Sequence, residues 1–148
     1  MPNMPIGVDI AKNVFQLHWV DANTGEIFSK QLKRSVFLEF FANRLPCLVG
    51  MEACGGAQHW ARRLTELGHQ VKLMPGKFVK AFVAGNKNDS MDARAIWMAV
   101  QMLGKAVAVK TEAQQAVLSL DRLRQQTGVV SEFGSQSTPA IEGCVCCN

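Results

Sequence analysis

The chain opens with a short apolar run interrupted by Asp9, continues with two segments in which apolar and polar positions alternate, and then shows helical and strand-like periods in turn. Residues 5–12, 14–21 and 26–33 predict three short strands, the last two joined as a hairpin by the turn sequence A-N-T-G. The later periods predict further elements. We predict helices over 36–45, 56–67, 89–103 and 112–126, a basic amphipathic piece over 76–85, and strands over 47–53, 69–74 and 105–110.

The order of these elements predicts an α/β fold. Strands joined through helices are expected to be parallel, whereas the opening hairpin is antiparallel. We therefore predict a mixed sheet of about five strands, flanked by helices, with Asp9 on the central strand and Glu52 on its parallel neighbour. Ser35 and Thr111 are the predicted N-caps of their helices, and Gly68 is a predicted helix stop.

Composition places the chain among globular proteins. It has 148 residues, of which 48% are apolar and 19% charged, a size and balance suited to one domain with a real core. Sixteen Lys and Arg against twelve Asp and Glu give a net charge of +4, which permits a nucleic-acid partner without requiring one. No apolar run approaches the roughly 20 residues of a membrane span, and no signal peptide is visible. We expect a cytosolic protein.

The cysteines are expected to be reduced in that compartment. Cys47 and Cys54 lie in apolar segments and are predicted core residues. Cys144, Cys146 and Cys147 form a cluster of three thiolates without a nearby histidine, whereas a structural zinc site has four ligands. No zinc site is therefore assigned.

The sequence pattern changes after Gln126. Residues 1–126 are predicted to form the folded domain, with the last helix beginning near residue 111. Residues 127–148 have no apolar period and are rich in Ser, Gly and Thr, so we expect an irregular, disordered tail.

Acidic residues stand in unusual places. Asp9 and Glu52 interrupt otherwise apolar strands, where a carboxylate is costly unless it is paired, metal-bound or at a strand end. Asp89 and Asp92 are three residues apart and share one helical face, although first-turn acids also serve as caps and complement the helix dipole. If the four acids meet, Mg²⁺ is the natural occupant, and two such ions about 4 Å apart perform phosphodiester displacement.

Basic residues precede and follow the paired acids. Lys77, Lys80, Lys87 and Arg94 lie in a stretch that contains only two acids, Asp89 and Asp92. A solvated basic face explains this pattern. Beside a carboxylate site, the same residues become candidates for contacts with backbone phosphates.

The order and wording of the acidic motifs resemble those of a known family. Asp9 lies in G-V-D-I-A-K, Glu52 in G-M-E-A-C-G-G, and the aspartate pair in N-K-N-D-S-M-D-A-R-A-I. Together with G-H-Q-V-K-L-M-P and K-F-V-K-A-F-V, they resemble the DEDD transposases, insertion-sequence recombinases that include the Piv invertase. The N-terminal domain of that family is similar to the Holliday-junction resolvase RuvC. The resemblance covers residues 6–126.

The resemblance carries implications for fold and function. It implies an RNase H-like, RuvC-like fold in which Asp9, Glu52, Asp89 and Asp92 are catalytic and bind Mg²⁺, with Mn²⁺ able to substitute. It also implies a DNA substrate, a structured guide RNA, assembly as homo-oligomers, and a place in the bacterial cytoplasm with the nucleoid.

The chain also departs from that family. Such transposases continue into a helical coiled-coil region and a second domain that carries a serine nucleophile, and no matching motif follows Gln126. We therefore expect a truncated, catalytic N-terminal half that does not complete transposition alone. A non-catalytic nucleic-acid-binding or assembly module, acting as a regulator, is the alternative. An ATP-binding fold of the actin type is set aside, because Asp9 is followed by I-A-K-N rather than a glycine hairpin.

Overall fold

The structure, a computed structural model, describes residues 4–83, 89–102 and 106–126. The side chains of Asp89 and Ser90 are outside this description, as are Lys87, the predicted tail and its cysteine cluster. The chain divides into two compact units, Met1–Val109 and Lys110–Asn148. The first unit contains the sheet, and the described part of the second is one helix.

The described elements follow the predicted order closely. They are β1 (Pro5–Ile10), β2 (Val14–Val20), β3 (Ile27–Lys33), a 3-10 turn (Arg34–Val36), α1 (Phe37–Ala42), β4 (Leu48–Glu52), α2 (Ala57–Glu66), β5 (Gln70–Met74), α3 (Gly76–Lys80), α4 (Asp89–Gln101) and α5 (Glu112–Gln126).

The five strands form one mixed sheet. Their order is β3-β2-β1-β4-β5, with β1–β2 and β2–β3 antiparallel and β1–β4 and β4–β5 parallel. The predicted antiparallel hairpin, the mixed sheet and the central position of β1 are confirmed. Asp9 therefore lies on the central strand, and Glu52 on its parallel neighbour.

The sheet packs helices on both faces. On the first, called here the α2 face, side chains of β1 and β2 meet α1 and α2 around an aromatic cluster. The ring of Phe15 lies 4.7 Å from that of Phe37 and 5.2 Å from that of Trp60, both edge-on. The second, called the α4 face, has a smaller core. Its buried members are Met74, Val79, Ala95, Ile96 and Ala99.

His69 ties three segments of the α2 face together. The ring is buried, and its Nε2 lies 3.0 Å from the carbonyl oxygen of Phe41. Because a carbonyl only accepts, Nε2 carries the proton and Nδ1 accepts. Nδ1 accepts the backbone N–H of Cys47 at 3.2 Å and lies 3.3 Å from its Sγ. The predicted core position of Cys47 is thus confirmed.

Two predicted helix signals are confirmed. Thr111 and Gln114 form a reciprocal cap at the start of α5: Thr111 Oγ1 accepts the Gln114 N–H at 3.2 Å, and Gln114 Oε1 accepts the Thr111 N–H at 3.0 Å. Gly68 follows α2 with a φ of 88°, the left-handed conformation that ends a helix.

Three sequence predictions are wrong. Ser35 caps no helix, because the chain leaves β3 directly into a 3-10 turn that contains it, and α1 begins only at Phe37. Within the described part of the predicted strand 105–110, only one bridge forms, between Val107 and Leu73. Cys54 is exposed rather than in the core, because it lies in the turn between β4 and α2.

Candidate metal and nucleic-acid site

Strand register brings Asp9 and Glu52 to the same face of the sheet. Val8 and Met51 are partners in the parallel β1–β4 pair, and both are fully buried in the core of the α2 face. Each acid follows its paired residue by one position. Since successive side chains alternate between faces, both acids project from the α4 face near the carboxyl ends of their strands, and both are half-buried.

Two glycines let α4 lie directly on this face. Gly7 and Gly50 are register partners, each two residues before an acid. A Cβ atom added to Gly7 would lie 2.5 Å from the backbone nitrogen of Trp97 and would also overlap the carbonyl oxygen of Ala93. One added to Gly50 would lie 2.8 Å from the Cβ of Val100. The backbone of α4 therefore rests on the backbone of β1 at Gly7.

The first turns of α4 carry the aspartate pair. Asp92 is half-buried and immediately precedes Ala93, whose carbonyl lies against Gly7. Asp89 is the first residue of α4. Among the described side chains, no three His, Cys, Asp or Glu residues form a group that could hold a metal ion. The fold thus brings Asp9 and Glu52 together and places Asp92 on an adjoining helical turn, without closing a three-ligand set among them.

Glu52 reaches over the start of α3. A Cβ atom added to Gly76 would lie 2.5 Å from Glu52 Oε1, and the three nearest atoms to that point all belong to Glu52. The absence of a side chain at Gly76 therefore provides the space that this carboxylate occupies.

A buried histidine lies on the same face. His18 of β2 is the register partner of Gly7, and its ring packs edge-on against Trp97 of α4 at 5.5 Å. Burial lowers the pKa of His18 below its ordinary value of 6.5, and the positive charge of Arg94 lowers it further. His18 is thus held neutral between the sheet and α4.

The predicted basic residues divide between α3 and α4. Lys77 and Lys80 are exposed on α3, and Arg94 is exposed on α4; Lys87 lies outside the described residues. Phe78 packs edge-on against Phe82 at 5.3 Å, and both contact the core of the α4 face. These two phenylalanines dock α3 and the residues that follow it onto the core.

Comparison with known proteins identifies the family. Residues 6–136 match the family model of DEDD transposases of the IS110 type, described as a transposase. The chain belongs to the DEDD transposase family. It is 44% identical to a probable family 20 transposase of Pseudomonas aeruginosa, over 90% of this chain and 43% of that protein. It is 42% identical to the transposase for insertion sequence element IS1328 of Yersinia enterocolitica, over 84% of this chain and 38% of that protein.

A third relative extends the comparison to another genus. The transposase for insertion sequence element IS1111A of Coxiella burnetii is 40% identical, over 86% of this chain and 37% of its own length. The chain thus spans less than half the length of these relatives. Its five-stranded mixed sheet, flanked by helices, is consistent with the RNase H-like fold of the DEDD transposase domain. Among the described residues, no helix has the length and apolar character to span a membrane.

DEDD transposases as a family indicate a divalent metal cofactor in general. The acids have the donor chemistry of that class of ion, because carboxylate oxygens are the ligands that Mg²⁺ prefers, but the described side chains close no three-ligand group. Asp9 and Glu52 carry carboxylates on adjacent strands, and Asp92 carries another on α4.

Sequence reasoning missed the glycines that shape the site in this DEDD transposase chain. Gly7, Gly50 and Gly76 permit the close approach of α4 and the placement of Glu52. A signal was present for the first two, because each acidic strand reads Gly-x-acid, as G-V-D and G-M-E. A glycine inside a strand often marks the close approach of another backbone.

Proposed function

We propose that the first unit is the metal-binding, catalytic part of a DNA transposase, with Asp9, Glu52, Asp89 and Asp92 as the ligands of Mg²⁺ or, in its place, Mn²⁺. The observation that supports this proposal is the register of β1 and β4, which sets Asp9 beside Glu52 on the face covered by α4. Family membership gives that arrangement its chemical meaning.

The residues of the chain have distinct tasks in this proposal. Asp9 and Glu52 are held by paired strands, so their carboxylates present oxygen donors from a rigid base. Asp92 contributes from a helix whose distance from that base is fixed at Gly7. Bound divalent ions would activate the attacking oxygen and stabilise the leaving oxygen of a phosphodiester.

The substrate in this proposal is DNA, held through its phosphates. Lys77, Lys80, Lys87 and Arg94 would contact the phosphodiester backbone beside the acids. We further propose a structured guide RNA as a partner, homo-oligomeric assembly, and action on the nucleoid in the bacterial cytoplasm. A serine-bearing domain, as in the full-length family pattern, would complete the strand exchange.

A non-catalytic nucleic-acid-binding or assembly module is the second candidate. The exposed cations of α3 and α4 favour it, because phosphate contacts from Lys77, Lys80 and Arg94 give affinity without any chemical step. In this case the acids would hold a metal ion against nucleic acid rather than promote cleavage.

Metal-dependent thermal unfolding tests the proposal. Mg²⁺ and Mn²⁺ are expected to raise the thermal midpoint of the unaltered chain, because a ligand that binds only the folded state stabilises it. Asp92→Asn should abolish most of this rise while leaving the metal-free protein as stable or more stable, since fewer acids repel. Asp121→Asn, which changes an exposed acid on α5, is the matched control and should respond as the unaltered chain does.

The same experiment separates a metal ligand from a helix cap. Asn caps a helix nearly as well as Asp, and losing a dipole interaction costs about 0.3–1 kcal/mol. If Asp89 and Asp92 only support the helix, Asp89→Asn and Asp92→Asn will each show a small loss that is independent of metal. Equal metal responses in Asp92→Asn and the unaltered chain would contradict the proposed metal site.

A further inference from the structure

A polar surface on the β2–β3 hairpin continues the row that contains Asp9. Asp9 is the register partner of Gln16, and Gln16 is the partner of Gln31. Partners in adjacent strands project from the same face, so these three side chains form a row across the α4 face. Two strand spacings separate its ends, a span of about 10 Å.

The residues around this row are polar and accessible. Ser29, Gln31 and Lys33 are exposed on β3, and Gln16 is half-buried on β2. We call these four residues the hairpin shelf. The opposite face of the same hairpin carries the buried Phe15, Leu17 and Leu32. The polar side of the hairpin therefore faces away from the aromatic core and toward solvent beside α4.

A hydrogen bond within the shelf holds the side chains of Gln16 and Ser29 in place. Gln16 Nε2 donates to Ser29 Oγ at 2.8 Å across the two strands. This bond uses one of the two amide hydrogens of Gln16 and leaves the exposed amide of Gln31 beside it. Such groups donate hydrogen bonds to phosphate oxygens in protein–DNA contacts.

Charge along the hairpin is unevenly distributed. Lys12 lies in the β1–β2 turn and Lys33 ends β3, so two exposed lysines stand at the end of the hairpin nearest Asp9. The Arg34 guanidinium donates to the Lys12 carbonyl oxygen at 3.4 Å, which draws the two segments together. The hairpin acids, Asp21 and Glu26, lie at the opposite end, where their backbones bond at 2.9 Å. The negatively charged phosphodiester backbone of a nucleic acid would be attracted to the positive end of the hairpin.

We propose that the hairpin shelf, with Lys12 at its end, holds one strand of the DNA substrate and leads its backbone to Asp9 and Glu52. This inference rests on the proposed function for the identity of the occupant, and on the register and charge of the hairpin for its path. Arg94 is exposed on α4, and its charge acts on His18, the register partner of Ser29.

A lysine on an edge strand also has a simpler explanation. Exposed edge strands offer unpaired backbone groups to other sheets, and lysines discourage that pairing. This explanation requires Lys33 but gives no reason for the row of Gln16 and Gln31 in register with Asp9. The two explanations predict different consequences when Lys33 is replaced.

A matched pair of substitutions on β3 tests the proposal. Lys33→Ala removes one positive charge from the shelf, whereas Lys30→Ala removes one from the opposite face, where the ammonium lies 5.0 Å from the centre of the Phe40 ring. The probe is a fluorescent single-stranded DNA oligonucleotide titrated with the full chain at several salt concentrations. Thermal unfolding of each variant confirms that it is folded.

Binding should depend on the shelf and not on the opposite face. Lys33→Ala should weaken binding and lower the slope of log affinity against log salt by about 0.7, the value for one lost phosphate contact on a single strand. Gln31→Glu should weaken binding without destabilising the fold, because it places a negative charge in the path of the phosphates. Lys30→Ala should retain the affinity and slope of the unaltered chain.

Four results would overturn the inference. Unchanged affinity and slope in Lys33→Ala and Gln31→Glu would place the DNA elsewhere, and new self-association of Lys33→Ala at unchanged affinity would assign the lysine to edge protection. Tighter, Lys33-dependent binding of an RNA of the same sequence would replace DNA as the occupant. If the unaltered chain does not bind the oligonucleotide, both the proposed role of the shelf and the proposed DNA substrate are contradicted.

The metal experiment keeps the two proposals separable. If Asp92→Asn loses the metal response and Lys33→Ala keeps the DNA affinity of the unaltered chain, the proposed metal site is supported and the proposed role of the shelf is contradicted. Lys33-dependent DNA binding without any metal response would support the shelf and remove the metal site.

Discussion

At the scale of single residues, the position of the Glu52 carboxylate depends on the lack of a side chain at Gly76. Its Oε1 occupies the space that a side chain at Gly76 would need. Nothing in the backbone conformation of Gly76 demands glycine, since among the described glycines only Gly25 and Gly68 have a positive φ. The requirement for glycine at position 76 is therefore steric, and it concerns one carboxylate.

Gly76→Ala is expected to move Glu52 without unfolding the protein. The added Cβ meets the end of a flexible side chain rather than backbone, so Glu52 can rotate away and the metal-free thermal midpoint should hardly change. The rise in midpoint caused by Mg²⁺ should shrink, because one ligand leaves its place. Gly56→Ala, where an added Cβ has open space, should keep the full metal response. A full response in Gly76→Ala would mean that Glu52 needs no such space.

At the scale of elements, the seating of α4 decides where its acids lie. The helix contacts the sheet through Gly7 and Gly50, and Asp92 immediately precedes Ala93, whose carbonyl lies against Gly7. Ala93, Ile96 and Val100 are buried at this contact. Glycine on the sheet side brings the helix and sheet closer than side chains at those positions would allow.

Gly7→Ala is expected to displace α4. The added Cβ would overlap the backbone at Ala93 and Trp97, which cannot rotate away, and such overpacking typically costs about 1–3 kcal/mol. Urea unfolding should show this loss of stability, and the Mg²⁺ response should fall with it. Gly55→Ala, which meets no atom within 4 Å, is the matched control. Unchanged stability in Gly7→Ala would contradict the direct contact of helix and sheet.

At the scale of the whole molecule, His18 links folding stability to pH. Its pKa in the folded state is lowered by burial and by Arg94, whereas in the unfolded chain it returns to about 6.5. As pH falls, the unfolded chain therefore binds this proton first. The contribution of His18 is fully present above pH 6.5 and is lost progressively as pH falls below it.

Thermal unfolding between pH 8 and pH 5 measures this linkage. The midpoint of the unaltered chain should fall more steeply below pH 6.5 than that of His18→Gln, whose side chain does not titrate. His59→Gln removes an exposed histidine of α2 and should follow the profile of the unaltered chain. Identical profiles in all three proteins would show that His18 has no part in the acid sensitivity.

Local patterns account for most of the fold that could be predicted from sequence. An apolar run predicted β1, and alternation predicted the two strands of the hairpin. The Thr111 cap and the Gly68 stop are signals that act within one turn. The Ser35 prediction failed because Ser35 lies inside a 3-10 turn, so it does not occupy the N-cap position of α1. The described part of 105–110 forms no strand, because only Val107 pairs with β5, through a single bridge to Leu73.

The candidate site could be predicted in part. The strand positions of Asp9 and Glu52 follow from the apolar runs that each acid interrupts and from parallel pairing, and the register shows that the two acids share a face. The distance between α4 and the sheet could not be predicted, because it depends on a contact between Gly7 and residues more than eighty positions later in the chain. The four-acid metal site itself stays a prediction.

The seating of α4 on glycine has a consequence for sequence divergence. Where a helix rests on side chains, its distance from the sheet follows their volumes, so substitutions in the core shift everything the helix carries. Where it rests on backbone, as at Gly7, that distance is set by peptide dimensions, which do not vary with side-chain volume. Relatives that are 40–44% identical to this chain and that keep a glycine at this position can therefore differ at many core positions. The distance between Asp9 and Asp92 would stay the same.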